Sequence, residues 1–516
     1  MGPWTAILAF SYLLASLSCA QALAFRGSQE PPTPSQFDFH DGDTNRSAIA
    51  ESSASQTHHT KLRLAANQGH VLPFEPDRET VIGNDTASTR SVEREKIRAP
   101  SDDQDGTFRN PVESMTLTQI ESIALENNSA IAAARATIAK TAGLRQQVGT
   151  RPNPRFGYFG QQLGDRNTDQ HGLYIEQEFV RGNKLQLNRQ VLCQTQIAQT
   201  VELSALEYRV LTDVRTRFFQ AVAAQLEVEA TSAFLQVASR GVQVAEDRQR
   251  AGEGTLIETL QAQTLLSEVS LSAERARLAF RGAWGELVAI AGISQHSPVQ
   301  LATELPVPNS TPNWETTFLE IIARSPEISI AQAIVREKDA MLQRQQVQAI
   351  PNITGQLGAG HDVGTNHGMI NIQVSAPIPI HNLNRGNISA AHADLLRASH
   401  QVERIQQSIR SRLARAAQDF DAALTTVQRY QHEIIPQTEK SLSLSEDAYR
   451  KGELDFLQVL IVRRSYYEST IRLIHAKSEL AQVAARIDGL LLTGGLDSPT
   501  DFSNGDSLRE QTFGGQ

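Results

Sequence analysis

One phrase of the sequence occurs twice. Ala245-Glu-Asp-Arg-Gln-Arg-Ala-Gly-Glu-Gly-Thr-Leu-Ile-Glu-Thr-Leu260 aligns without a gap on Ser445-Glu-Asp-Ala-Tyr-Arg-Lys-Gly-Glu-Leu-Asp-Phe-Leu-Gln-Val-Leu460. Glu246, Asp247, Arg250, Gly252, Glu253 and Leu260 are matched by Glu446, Asp447, Arg450, Gly452, Glu453 and Leu460. The context repeats too. An Ala-rich helical segment runs from Ile131 to Pro152-Asn153-Pro154, and another from Ile328 to Pro351-Asn352, each followed by strand-like sequence. A chain built this way holds two copies of one unit, at residues 113–295 and 315–495, with a Pro-rich linker at 296–314.

The helical parts of the unit are long. Leu203, Leu206, Val210, Val214, Phe218, Ala221 and Val228 recur at three- and four-residue steps, the stripe of a helix that packs on neighbouring helices. From Leu185 to Arg250 there is no proline and a single glycine, Gly241. At 1.5 Å per residue such a helix reaches roughly 100 Å. A compact globule has no use for a rod of that length, so the protein is elongated.

After each proline come two short alternating segments. Leu173, Ile175, Gln177 and Phe179 alternate with Tyr174, Glu176 and Glu178; Ile370, Ile372 and Val374 with Asn371, Gln373 and Ser375. Ile353, Gly355, Leu357 and Ala359 alternate with Thr354, Gln356 and Gly358, and the fourth segment, Phe156 to Leu163, is less regular. Gly164 to Gln170 and Asp362 to His367 are rich in hairpin-loop residues. Strands of about nine to eleven residues can cross a bilayer at a tilt; small soluble hairpins resting on helices fit the alternation equally. Four strands cannot close a barrel, and open edges in lipid cost several kcal/mol per unpaired group. Strands that span therefore require other subunits.

Several classes of chemistry are missing. There is no G-x-x-x-x-G-K-[ST], no G-x-S-x-G and no H-E-x-x-H, so no catalytic residue, cofactor or metal site is expected. The net charge of −9 is spread along the chain and does not form the basic face that nucleic acid requires. Of two cysteines, Cys19 lies in an apolar run expected to be a signal peptide (1–22), cleaved near Ala22 or Ala24; lipidation at Cys19 is an open alternative. Cys193 is then expected to be the one thiol of the mature chain, in a packing role. Residues 23–110 and 496–516 read as a disordered leader and tail.

Strand pairs set between long helices and duplicated in one exported chain resemble the TolC-like outer-membrane efflux proteins. The phrase Met115 to Asn128, with its Ala-rich helix and Pro152-Asn153-Pro154, is similar to the family's opening helix. Ile434-Ile-Pro436, Ala448-Tyr-Arg-Lys-Gly452 and Asp455-Phe-Leu-Gln-Val-Leu460 are similar to later family phrases. The resemblance implies a mainly α protein with transmembrane β-strands: a homotrimer in the outer membrane of a Gram-negative bacterium, with a twelve-stranded barrel on a periplasmic helical tunnel. It implies a passive exit duct for small molecules or metal ions, partnered by a periplasmic adaptor, an inner-membrane transporter and outer-membrane lipid. It places Arg250, Gly252, Glu253, Leu256, Arg450, Gly452, Glu453 and Phe456 at an adaptor-docking tip, with Leu256 and Phe456 exposed; the alternative is that the glycines only shape turns. Where the family often has gating aspartates this chain has Glu258 and Gln458, and Tyr449 matches a family tyrosine that holds the entrance shut. A solvated helix-face glutamate is the plainer reading of Glu258. A periplasmic coiled-coil scaffold or adaptor without a pore is the rival reading of the whole chain.

Overall fold

The computed structural model describes residues 114–164, 167–294, 297–503, 505 and 507–513. The signal at 1–22 and the leader at 23–110 lie outside the described residues. The chain opens with α1 (Leu117–Asn127) and α2 (Ser129–Val148), then β1 (Arg155–Gln161) and β2 (Gln170–Phe179), then α3 (Lys184–Arg250) and α4 (Leu256–Ala291). The same order of elements follows again. It runs through α5 (Trp314–Arg324), α6 (Pro326–Gln346), β3 (Ile353–Asp362), β4 (His367–Ser375), α7 (Arg385–Arg429), α8 (Ile435–Arg450) and α9 (Phe456–Asp488). A last short helix, α10, spans Ser507–Phe513.

Local chemistry starts and stops these helices. The Thr116 hydroxyl accepts from the backbone N–H of Gln119 while the Gln119 side chain accepts from that of Thr116, a reciprocal cap on α1. The Asn128 carboxamide oxygen caps α2 by accepting from Ala130 and Ile131. The helix α3 is 67 residues long, about 100 Å at the standard rise. Its stripe of Leu206, Val210, Val214 and Phe218 is almost fully buried against Trp284 and Leu287 of α4, Ile120 of α1 and Ile131 of α2. The second long run, Arg385 to Arg450, is interrupted by a π turn at Tyr430–Ile434. Pro436 accounts for it: lacking an N–H and crowding the preceding turn, proline forces the ladder to widen there. Cys193 is buried on α3.

All four alternating segments are strands, and they form one antiparallel sheet in the order β1-β2-β3-β4. The two hairpins join through β2 and β3, paired from Gln170 opposite Asp362 to Phe179 opposite Ile353. The end of the chain differs from expectation. Residues 497–503 and α10 lie against the helices, with Leu508 and Thr512 buried. Isolated anchor residues contacting other elements order this segment, and they leave no periodicity in its own sequence.

Candidate functional site

In an antiparallel sheet, residues directly opposite one another share a face. Phe156 and Tyr158 of β1 stand opposite Ile175 and Leu173 of β2. Ile175 and Leu173 stand opposite Leu357 and Ala359 of β3, and these opposite Ile372 and Ile370 of β4. The register therefore joins one apolar band across all four strands. Its large side chains, with Val374, are half or more exposed. A continuous apolar band of this kind is what a soluble monomer avoids, and hairpins that rested on helices would have buried it. The opposite face carries Gln170, Glu176, Gln356, Asp362, Asn371 and Gln373, interleaved with glycines. There the Phe159 ring lies over Gly172, where a Cβ would come within 2.4 Å of it. A ten-residue strand such as β2 is about 33 Å long, and a tilt near 45° brings its height to about 23 Å, close to the apolar band of an outer-membrane barrel. Among the described residues, the outer edges of β1 and β4 have no partner strand in the sheet.

The repeated phrase forms two helix–turn–helix ends of the same geometry. Gly252 has φ +77° and Gly452 φ +75°, the left-handed conformation that glycine adopts without Cβ strain. After α3, the N–H of Glu253 donates to Arg248 O (2.9 Å) and that of Gly252 to Gln249 O (3.1 Å). After α8, Glu453 donates to Ala448 O (2.9 Å) and Gly452 to Tyr449 O (3.0 Å), the same Schellman closure. Asp247–Arg250 and Asp447–Arg450 are matching exposed ion pairs, each 3.0 Å. Glu253 and Glu453 are exposed beside the turns.

The two ends part company in their apolar residues. Leu256 is exposed, with Ile257 and Leu260 beside it. Phe456 is buried, contrary to the expectation that it is presented to a partner. It packs with Leu460 among Val242, Ala245 and Ala262, with Tyr449 tilted against it at 5.7 Å between ring centroids. The Phe456 and Leu460 side chains reach α3 at Gly241, where a Cβ would lie 3.4 Å from Leu460 and 3.5 Å from Phe456, at ordinary contact distance. Glu258 sits in the first turn of α4, its backbone N–H donating to the Thr255 hydroxyl (3.2 Å) and its carboxylate accepting from that hydroxyl (3.3 Å). Gln458 is exposed. The Gln249 carboxamide, at the position matching Tyr449, accepts from the Thr259 hydroxyl (2.8 Å).

A second cluster, which periodicity does not reveal, lies where helices meet strands. Lys184 opens α3 just after Asn183, whose φ of +55° matches the +58° of Asn384 ahead of α7. Its ammonium donates to Ile350 O (2.6 Å) and Asn352 Oδ1 (3.1 Å). Burial, and then the neighbouring Arg344, lower its pKa to about 8 against the opposing pull of Glu178. Arg344 is fully buried and donates to Asn188 (2.7 Å), Gln348 (2.8 Å) and the Thr512 hydroxyl (3.0 Å). Two buried cations on ordinary helical positions carry no signal that a sequence pattern could expose.

A one-sided apolar sheet on long helices suits contact with a membrane, and outer-membrane proteins are among those this chain is similar to. Residues 319–491 match the family model described as outer membrane efflux protein. The cobalt-zinc-cadmium resistance protein CzcC of Cupriavidus metallidurans is 24% identical over 382 residues, covering 73% of this chain and 90% of that protein.

The chain is similar to outer membrane efflux proteins.

The pyoverdine export outer membrane protein OpmQ of Pseudomonas putida is 24% identical over 332 residues, covering 58% of this chain and 65% of OpmQ. Among solved structures, CusC superposes with a TM-score of 0.62 at 15% identity, covering 76% of this chain and 95% of CusC. VceC of Vibrio cholerae superposes with a TM-score of 0.60 at 17% identity, covering 74% and 97%. The fold is thus shared with CusC and VceC. No helix among the described residues is long and apolar enough to cross a membrane.

Proposed function

We propose that this chain is an outer-membrane efflux protein, the passive exit duct of a tripartite pump, closed as a trimer. The sheet with its apolar face and two open edges carries the reading. In lipid those edges require partners, and β4 of one copy pairing with β1 of the next supplies them. Three copies of a four-stranded sheet give a twelve-stranded barrel with the polar, glycine-rich face inward. The helices continue it as a periplasmic tunnel. A seven-residue seam of Ile257, Leu271 and Leu278 lies exposed on α4 and suits helix packing between copies.

The paired turns form the periplasmic tip. Arg250, Gly252, Glu253, Arg450, Gly452 and Glu453, with exposed Leu256, meet the helical hairpin of an adaptor, while Phe456 supports this edge from within. Glu258 and Gln458, repeated threefold, border the entrance, and Tyr449 holds it narrow by packing on Phe456. An inner-membrane transporter supplies the energy and selects the cargo. Metal ions are the favoured cargo, because the cobalt-zinc-cadmium resistance protein is matched over nine-tenths of its length.

The test is fractionation followed by planar-bilayer conductance of the detergent-purified protein. Recovery from the outer membrane as a trimer, with conductance that rises in Tyr449→Ala or Glu258→Ala, is expected. A water-soluble protein that carries no current would leave a periplasmic coiled-coil scaffold as the reading.

A further inference from the structure

The segment after α9 runs along a groove whose walls come from both halves of the chain. Phe502 packs among Ala198, Val201 and Ala205 of α3 and Ile330 and Ala333 of α6. Further along, buried Leu508 packs among Val148 of α2, Val191 and Leu192 of α3 and Ala340 of α6. Polar contacts alternate with these two anchors. Asp501 accepts from Lys140 (2.5 Å) and Gln199 (3.2 Å). Arg509 donates to the carbonyls of Gln147 (2.8 Å) and Thr150 (2.9 Å), just ahead of β1. Gln345 and Gln348 donate to Gln511 (3.2 and 2.8 Å). Thr512 ends the series: its hydroxyl accepts from Arg344 (3.0 Å) and Asn188 (2.9 Å), and its carbonyl from Asn352 (3.0 Å), just ahead of β3.

Side chains from both halves thus converge on one peptide, and buried Arg344 and Asn188 each lose a partner without it. Such losses are costly inside a protein. We propose that the groove between α2, α3 and α6 is a peptide-binding site filled in cis by the chain's own tail, residues 497–503 and 507–513. Bound there, the tail clamps the helix-to-strand junction ahead of β1 to the one ahead of β3, and so holds the two hairpins in the register of a single sheet. The clamp acts within one chain and stands apart from closure with other copies.

The test uses the full-length protein with a specific-protease site placed after exposed Leu496, folded in detergent and only then cut. The released tail is expected to stay with the body through gel filtration. An excess of synthetic peptide 497–513 displaces it, whereas the peptide carrying Leu508→Asp and Thr512→Ala needs more than a tenfold higher concentration. Once a stripping wash removes the tail, amide protection is expected to fall at residues 150–155 and 350–353, and the unfolding midpoint to drop. Spontaneous loss of the cut tail, equal competition by the altered peptide, or a stripped body with unchanged protection and midpoint would overturn the proposal.

Discussion

Lysine placed at Ile372 tests the assignment of the two sheet faces directly. Ile372 lies within β4 between Ile370 and Val374 and opposite Leu357, all on the apolar face. Its neighbour Asn371 points to the other face, opposite Gly358. A lysine on the lipid side near the bilayer midplane costs about 2–4 kcal/mol, because the ammonium must thin the membrane or snorkel to reach water. Three copies in one barrel would multiply that to about 6–12 kcal/mol per assembly. Asn371→Lys enters a polar lining and is expected to change stability by no more than about 0.5 kcal/mol. Urea titration in lipid vesicles, with the folded fraction read by its shifted gel mobility, separates the two. Ile372→Lys is expected to lower the midpoint markedly while Asn371→Lys leaves it near that of the parent. Equal losses, or a larger loss for Asn371→Lys, would refute the assignment of faces and with it the barrel.

At the tip, Phe456→Ala is expected to cost about 3–5 kcal/mol in thermal unfolding followed by circular dichroism, since it empties a packed site. Leu256→Ala is expected to leave that midpoint in place while weakening binding of an adaptor hairpin in calorimetry. Gly452→Ala forces a Cβ into the left-handed region and is expected to cost about 1 kcal/mol by the same melting measurement. The ammonium of Lys184 binds its proton less tightly in the folded protein, near pKa 8, than in the unfolded chain near 10.5. Between these values the unfolded state holds the extra proton, so stability rises with pH through that window. Lys184→Met is expected to remove this rise, as denaturant midpoints measured from pH 7 to 10.5 would show.

The parts of the fold that were legible in the sequence are those where one element declares its own surroundings. Period-two alternation at Leu173–Phe179 and Ile370–Val374 marked the faces, and the gap free of proline before Arg250 marked the rod. The glycines of the repeated phrase marked the turns. Phe456 differs from the expectation because it occupies the same repeat position as Leu256, and its burial is made by Val242, Ala245 and Ala262 on other helices. Lys184, Arg344 and the tail escaped notice for a related reason. Each is defined by partners distant in sequence, and a lone Leu508 or Thr512 looks like any residue of a polar segment.

The unpaired outer edges of β1 and β4 also set an order of events in the life of the chain. A sheet with two free edges and a bare apolar face is a template for any strand it meets in water. A single copy that completed this sheet early would travel as an aggregation seed. In the proposed trimer, meeting the sister copies and entering lipid are therefore expected to be nearly one event.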